Sequence, residues 1–405
     1  QWIKEGAVWA DHWAYVDPVK NPLPNVENKS WAKHWIDHFS LSHYEREKSN
    51  PAPDTDPVTL IRRLHFDLTG LPPKSETVKK FVQNPSPKAY SELINQLLES
   101  KHFGERMAIY WLDLVRYADT VGYHGDQSHN ISPYRDWVIN AFNENMPFDQ
   151  FTQEQIAGDL LPNSTTQQKV ASGYNRLLQT THEGGLQIKE YDAIYAADRV
   201  RNVSEVWMGA TVGCAQCHDH KYDPYTIKDH YAMAAFFADI GDRGFTGNLL
   251  PTKRPPEIRI FSTAQQTELG RLSSEMEKYL PKQKQEQLAK LEANRKKLSD
   301  SLKKAKEPQK ADLQTKLKNN NQQINKLATQ EQINAFKAAQ KKRSDLENQG
   351  RWTMISKAVK PRTTRVLPRG NWMDESRPIV LPSVPDFLGT LQSKKERLTR
   401  LDLAH

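Results

Sequence analysis

The residues best suited to chemistry are two cysteines and a histidine in one short stretch, Cys214-Ala215-Gln216-Cys217-His218. A C-x-x-C-H pattern is typical of covalent haem attachment, in which two thiols form thioethers with the haem vinyl groups and the adjacent histidine ligates the iron. The chain has two cysteines in total, and both lie here. The pattern therefore predicts one covalent haem c, held by Cys214 and Cys217, with His218 as the proximal ligand.

Three other uses of the cysteines fit the sequence less well. A zinc site needs four ligands, so His218, His220 and a further histidine would have to complete it. A redox dithiol belongs at a strand-to-helix turn in a βαβ context, which the flanking sequence does not supply. A disulfide across so short a loop would constrain little chain entropy. Haem attachment is the preferred interpretation.

The sequence leaves the iron ligand opposite His218 open. His182 is the first choice, because it lies in a glycine-flanked loop just before the helix that leads to the cysteines. His124, His129 and Met208 are the alternatives. Any one of these histidines is otherwise more often a structural residue than a ligand.

His220 is too close to His218 in sequence to reach the opposite face of a haem easily. We expect it to contact a haem propionate, or to hold a second metal together with Asp219 or Asp223.

Composition limits the fold and the partners. A chain of 405 residues is long enough for two or three domains, yet 26% of its residues are charged and 37% are hydrophobic. No run of about 18 apolar residues exists, so no transmembrane helix is expected. The net charge of +8 favours acidic partners. Nucleic acid is not expected, because the lysine-rich tract lacks interleaved aromatics and base-reading arginines.

Helical periodicity predicts a mainly α fold. Start signals stand at Asp56, Ser86 and Ser132, each followed by a proline, and at Thr226. A long helix over 189–208 delivers the chain to the cysteines, so a haem would lie between two helices. Near the N-terminus, Trp31, Trp35 and Phe39 follow at helical spacing and predict core packing.

The tract over 263–349 is rich in Lys, Gln, Glu and Asn. Its leucines and isoleucine recur at heptad-like spacing on both sides of Pro308, which predicts two helices packed as an antiparallel, coiled-coil-like hairpin. Residues 257–261 and 351–381 mix β-branched residues with prolines and predict short strands. The sequence therefore predicts four regions: an extended and helical segment over 1–55, an α-helical haem domain over 56–250, the hairpin over 262–350, and an extended or β segment over 351–405, which contains the start of a truncated C-terminal domain.

Six blocks resemble the planctomycete cytochrome-domain family, a group of large exported proteins of unknown function. In order they are IRRLxFDLTGLPP at 61–73, WLDLxRYAD at 111–119, YRDWV at 134–138, QxAGD at 155–159, EGG at 183–185 and CAQCHDHKYDP at 214–224. The resemblance implies a c-type haem and an extracytoplasmic location, with the signal peptide removed. The stretch RVLPRGNW at 365–372 resembles the start of the partner domain that usually follows, which implies association with a separate C-terminal domain or subunit.

Two functions from different classes remain. The first is an electron-transfer cytochrome that meets an acidic redox partner protein. The second is a haem-dependent oxidoreductase acting on peroxide or a polysaccharide, in which carboxylates and arginines supply proton transfer. The candidate residues for the second are Asp113, Arg116, Asp119, Arg135, Asp136, Asp159, Glu183 and Asp198. Structural ion pairs explain the same set. A weaker third function is a scaffold whose hairpin binds acidic polysaccharide or a partner subunit.

Overall fold

Helices dominate the architecture, and the strands form two small antiparallel pairs, so the fold is mainly α as predicted. The computed structural model describes residues 3–7, 15–123, 126–181, 183–242, 253–391 and 396–405. Their contacts divide the chain into two compact units. One contains Gln1–Leu64 and Pro72–Tyr90, and the other contains His65–Leu71 and Ser91–His405.

The first unit contains α1 (Trp35–Arg46), the start of α2 (Pro57–Thr69) and α3 (Ser75–Gln83). The predicted burial of the aromatic stripe is wrong, since Trp35 is 58% exposed and Phe39 is 38% exposed. The physical reason is local. His34 and Asp37 form a capping box that starts the helix at Trp35, so Trp31 lies outside the helix and the stripe is interrupted.

Seven further helices precede the strands. They are α4 (Pro87–Leu98), α5 (Lys101–Leu114), α6 (Ser132–Asn143), α7 (Phe148–Ala157), α8 (Thr166–Ala171), α9 (Ile188–Trp207) and α10 (Ile227–Phe236). The helices expected after Ser86 and Thr226 begin where predicted, but Ser132 is the first residue of its helix and Ile131 is the N-cap. Helix α8 is short, because the chain continues as a 3₁₀ turn over Ser172–Arg176. A Cβ at Gly173 would lie 3.1 Å from the Met354 carbonyl oxygen, so a returning strand presses against this turn.

Aromatic packing holds α5, α6 and α7 together. The Trp111 ring meets the Phe151 ring edge-to-face at 4.8 Å, and Trp137 stacks on Phe151 at 5.2 Å. The polar atoms inside this cluster are paired, because the Gln155 side-chain oxygen accepts from the Trp111 indole at 2.9 Å and from the Tyr134 hydroxyl at 2.5 Å. This satisfied core fixes the helices that carry the predicted site residues.

The lysine-rich tract leaves from and returns to an antiparallel pair of strands, β1 (Glu257–Ile260) and β2 (Arg351–Met354), with Ile260 opposite Arg351. Between them lie four helices, not the two predicted. They are α11 (Thr263–Tyr279), α12 (Lys282–Lys304), α13 (Gln309–Leu327) and α14 (Gln330–Asn348). Helix α11 packs on α14 and α12 packs on α13, so the antiparallel hairpin is present with each arm divided. Pro281 and the Thr329 capping box set the two breaks.

The chain after the hairpin completes the main core. The Ser356 hydroxyl donates to the Ser172 carbonyl at 2.8 Å, and the Asn175 side chain donates to the Ser356 hydroxyl at 3.1 Å. A second small sheet pairs β3 (Thr364–Arg365) with β4 (Ile379–Val380). A last helix, α15 (Arg400–Ala404), packs on α7. Across the described ranges, no helix is both long and apolar enough to cross a membrane.

Candidate functional site

The cysteine pair lies on the connection between α9 and α10. Residues Val212–Gln216 form a 3₁₀ turn whose Val212 and Ala215 side chains are buried in the main core. Cys214 and Cys217 point outward, are exposed, and form no disulfide. The apolar residues of the turn thus anchor it, while both thiols stay accessible to a reagent or cofactor.

His218 follows the turn with an exposed imidazole. Its Nδ1 lies 2.7 Å from the Asp219 carbonyl oxygen, and because a carbonyl can only accept, Nδ1 carries the proton. In this tautomer the lone pair of the ring is on Nε2. Metal-bound histidines commonly donate their other ring N–H in this way, which fixes the tautomer and the ring orientation.

A covalently bound haem requires two accessible thiols and an imidazole with a free nitrogen, all within a short turn. Cys214, Cys217 and His218 meet these requirements in their exposure, their free state and the His218 tautomer. The residues present fit the group.

The residues after His218 hold the turn against α10. The Asp219 carboxylate accepts from the Ile227 amide at 2.8 Å, in the first turn of that helix. His220 Nδ1 accepts from the Tyr222 and Asp223 amides at 3.2 and 2.8 Å, so its Nε2 carries the proton and faces the Thr211 hydroxyl at 3.1 Å.

Both ring nitrogens of His220 are therefore used within the loop. The propionate contact and the second metal at His220 stay predictions, and either would have to replace the contact of Nε2 with Thr211. Asp223 also stays in the loop, with Oδ2 lying 3.5 Å from the Thr211 hydroxyl. In the part of the chain that the structure describes, no group of three or more His, Cys, Asp and Glu side chains is arranged to hold a metal ion.

The structure describes two of the four candidates for the second iron ligand. His182 and His124 lie outside the described residues. His129 donates from Nε2 to the Ala118 carbonyl at 2.8 Å, and burial lowers its pKa. Met208 ends α9 and packs against the main core.

The carboxylate and arginine set does not form one cluster. Arg116 pairs with Asp198 through two bonds of 2.8 and 2.9 Å. Burial disfavours the Arg116 charge, but Asp198 outweighs this and raises the pKa of Arg116. The cavity beside this pair holds only about 10 Å³, the space of a single water. The pair is therefore best read as a structural ion pair.

The remaining members are separated from one another. Asp136 pairs with Arg351 at 2.6 Å, and Arg135 lies 3.5 Å from Asp136. Asp159 is buried against Arg400. Three further members are exposed at the surface, and these are Asp113, Asp119 and Glu183.

Sequence reasoning missed His230, on the second turn of α10. Its side chain is 1% exposed, and its Nδ1 donates to the Val212 carbonyl at 3.3 Å. Burial lowers its pKa to about 4, so the ring is neutral near pH 7. The available signal was helical spacing, because His230 and Ala234 are four residues apart and fall on one face of α10.

A buried ion-pair network lies where α9 meets the chain that follows α10. Arg199 donates to Asp242 at 2.5 Å, with both side chains about 95% buried. Burial alone would raise the pKa of Asp242, but the charges of Arg199 and Arg362 hold it below its usual value. These pairs fix α9 to the chain that follows α10.

A family model described as PSCyt2, protein of unknown function (DUF1549), matches residues 35–242, just over half of the 405-residue chain. The chain belongs to this family. No curated protein and no solved structure matches the chain.

The PSCyt2 region begins at α1 and ends at Asp242, so it contains the cysteine turn, His218 and His230. The helical hairpin lies beyond it. So do Ser356 and Arg400, although both are buried against PSCyt2 residues. The core of the PSCyt2 region is thus completed by residues that the family match does not include.

Proposed function

We propose that this chain is an exported c-type cytochrome that transfers electrons, with one haem attached to Cys214 and Cys217 and His218 as proximal ligand. The observation that carries the proposal is the turn itself. It offers two free, exposed thiols and an adjacent imidazole whose Nδ1 proton is committed to the Asp219 carbonyl. When bound, the haem supplies a one-electron redox couple.

The contribution of the protein is to orient and hold these groups. Val212 and Ala215 anchor the turn in the core. Asp219 and His220 bind backbone amides on the following loop, so the backbone that carries His218 is fixed at both ends. Because this backbone is already held in place, the turn needs little rearrangement when it binds a cofactor.

The carboxylates and arginines that could serve substrate chemistry form separate ion pairs, and this favours electron transfer. Arg116, Asp136 and Asp159 are each committed to an ion pair in a different part of the fold. No single cavity gathers them in the described part of the chain. The net charge of +8 suits an acidic partner protein, because long-range attraction raises the rate of encounter.

The export proposal rests on the chemistry of attachment, since thioether formation to haem requires an extracytoplasmic assembly route. It agrees with the family resemblance stated above.

The test is to produce the chain with a signal peptide in a host that carries periplasmic haem-attachment machinery. We expect an intact-mass surplus of one haem, a Soret band, and reduction by dithionite. Cys214→Ser and Cys217→Ser should each lose one thioether, and the double variant should lose the covalent haem. The control for His218→Ala is His102→Ala, because His102 is another exposed histidine, paired with Glu105.

Neither a mass surplus nor a Soret band in the folded wild-type chain would overturn the proposal. Retention of covalent haem by the double cysteine variant would overturn the assignment of the thiols.

A further inference from the structure

A cleft of about 510 Å³ lies between α9 and α10, beneath the segment over 362–375. This volume is within the range of roughly 300–1,000 Å³ that is usual for ligand and cofactor pockets. Five small side chains on and next to its helical walls leave room for a flat ring. They are Ala193, Ala196 and Ala197 of α9, Ala234 of α10, and Ala238 of the 3₁₀ turn that follows α10.

This cleft adjoins the cysteine turn. Tyr231 lines it and donates its hydroxyl to the Gln216 carbonyl at 3.0 Å and to the Leu367 carbonyl at 3.3 Å. Gly370 lies between two residues that line the cleft, Leu367 and Trp372, and a Cβ at Gly370 would lie 3.3 Å from Cys217 Sγ. The second cysteine is therefore beside the cleft rather than in its lining.

The rim carries cations near the space that a haem would occupy. Lys189, Arg362 and Arg365 line the cleft together with the carboxylates of Asp192 and Glu375. Lys189 pairs with Glu375 at 2.5 Å, and Arg362 lies 3.4 Å from Asp242. Arginine and lysine are the usual partners of carboxylates such as the haem propionates, through charge-assisted hydrogen bonds. The shape of this cleft thus suits a flat ring, and Lys189 and Arg362 would exchange their present carboxylate partners to meet a propionate.

His230 lines the same cleft and is 1% exposed. Its Nδ1 donates to the Val212 carbonyl, so Nε2 holds a lone pair. Within the described residues this buried Nε2 makes no hydrogen bond. A buried polar atom without a partner costs free energy and calls for an explanation, of which an absent ligand is one.

His230 and His218 share one arrangement. Each donates from Nδ1 to a backbone carbonyl that flanks the cysteine turn, Val212 before it and Asp219 after it, and each leaves Nε2 free. This is the arrangement of metal-bound imidazoles. We infer that the cleft receives the haem and that His230, through Nε2, is its second axial ligand. The inference rests on the proposed function.

The experiment uses the haem-loaded full chain and reads coordination rather than activity. The reduced wild type should be low-spin and should not bind carbon monoxide, because protein atoms fill both axial positions. His230→Ala should keep the covalent haem by mass, become high-spin and bind carbon monoxide at once. His230→Met should restore a low-spin spectrum with a sulfur ligand and a higher reduction potential.

Two controls separate ligation from structure. His129→Ala removes another largely buried histidine with an unpaired ring nitrogen, and it should leave the spin state and the carbon monoxide response unchanged. Circular dichroism checks folding, and His230→Gln replaces the alanine variant if that variant does not fold.

The inference is overturned if the loaded wild type already binds carbon monoxide, or if the folded His230 variants keep the wild-type spectrum. Absence of haem from the wild type would instead overturn the proposed function, so the two failures are distinguishable.

Discussion

The Asp219 carboxylate accepts a 2.8 Å hydrogen bond from the Ile227 amide, so the residue next to His218 caps the first turn of α10. The loop after the cysteine turn is thereby tied to the helix that carries His230. The position of the backbone at His218 and the stability of this helix end are therefore coupled.

Replacing Asp219 should weaken that tie. We expect Asp219→Ala to lower the free energy of unfolding by about 1 kcal/mol, as for the loss of an N-terminal helix cap. Haem incorporation should fall with it, because the backbone around His218 is less fixed. Chemical denaturation and the ratio of haem to protein measure the two effects. Asp113→Ala, at another exposed carboxylate, should change neither.

The buried ion pair between Arg400 and Asp159 gives a second prediction. Arg400 is fully buried and donates two bonds of 2.8 and 2.9 Å to Asp159 and one of 2.9 Å to Asp239. Arg400→Ala leaves two carboxylates without their cation and should cost about 3–5 kcal/mol. Urea unfolding measures this cost.

The matched control is Arg46→Ala, because the Arg46–Glu47 pair is exposed at 72% and 57% of its side chains. Surface pairs contribute little, so the control should be indistinguishable from wild type. Equal destabilisation by the two variants would contradict the role given to Arg400.

Buried tyrosines predict loss of stability at high pH. Burial raises the pKa of Tyr134 and Tyr174, whose hydroxyls donate to Gln155 and Asn202. In the unfolded chain tyrosine ionises near pH 10, while the folded chain keeps these protons, so stability falls as pH rises through about 10. Burial lowers the pKa of Arg176 to about 10. Above pH 10 this one group therefore raises stability, whereas the tyrosines lower it.

Thermal unfolding followed between pH 7 and pH 11, in parallel with tyrosinate absorbance, checks this sign. Tyr174→Phe should reduce the alkaline loss. Tyr222→Phe, at a tyrosine that is 83% exposed, should not. Complete tyrosine ionisation before unfolding would refute the prediction.

The hairpin should be removable. Because Ile260 pairs with Arg351, residues 261–350 can be replaced by Asn-Gly, which favours the two-residue turn of an antiparallel pair. The hairpin has its own apolar cluster, which includes Leu280, Leu288, Ile324 and Phe336. We therefore expect a lower helical signal but unchanged haem content and reduction potential.

The same variant tests the scaffold hypothesis. If the lysine-rich hairpin binds acidic polysaccharide, polygalacturonate should bind the full chain and not the excised one. Unchanged binding after excision would rule the hairpin out as the binding element. Loss of haem after excision would contradict the view that the hairpin is structurally separate.

Local signals explain what could be predicted from the sequence. Asp56 accepts from the Val58 and Thr59 amides, and Thr226 forms a capping box with Asp229, so both helix starts lie where their residue types indicate. The divided arms of the hairpin could not be read so directly. Heptad spacing describes which face is apolar, but it does not show where Pro281 and Thr329 interrupt the helices.

Long-range partners explain what was missed. Nothing near Asp159 indicates that Arg400 neutralises it, and the spacing of cysteines and histidines gave no weight to His230. Its distinction is a buried, unpaired nitrogen, which depends on the packing of α9 and α10 around it. Such properties arise only when the chain is folded.

The residues after the hairpin complete the main core, so the core can finish packing only after they have been synthesised. Asn175 meets Ser356 across 181 positions of sequence, and Asp159 meets Arg400 across 241. Contacts so distant in sequence form late, after the loop between them has closed. Asn175 and Asp159 are therefore synthesised before Ser356 and Arg400, their hydrogen-bond partners. The helical half reaches its final packing only once the hairpin and the residues after it have been made.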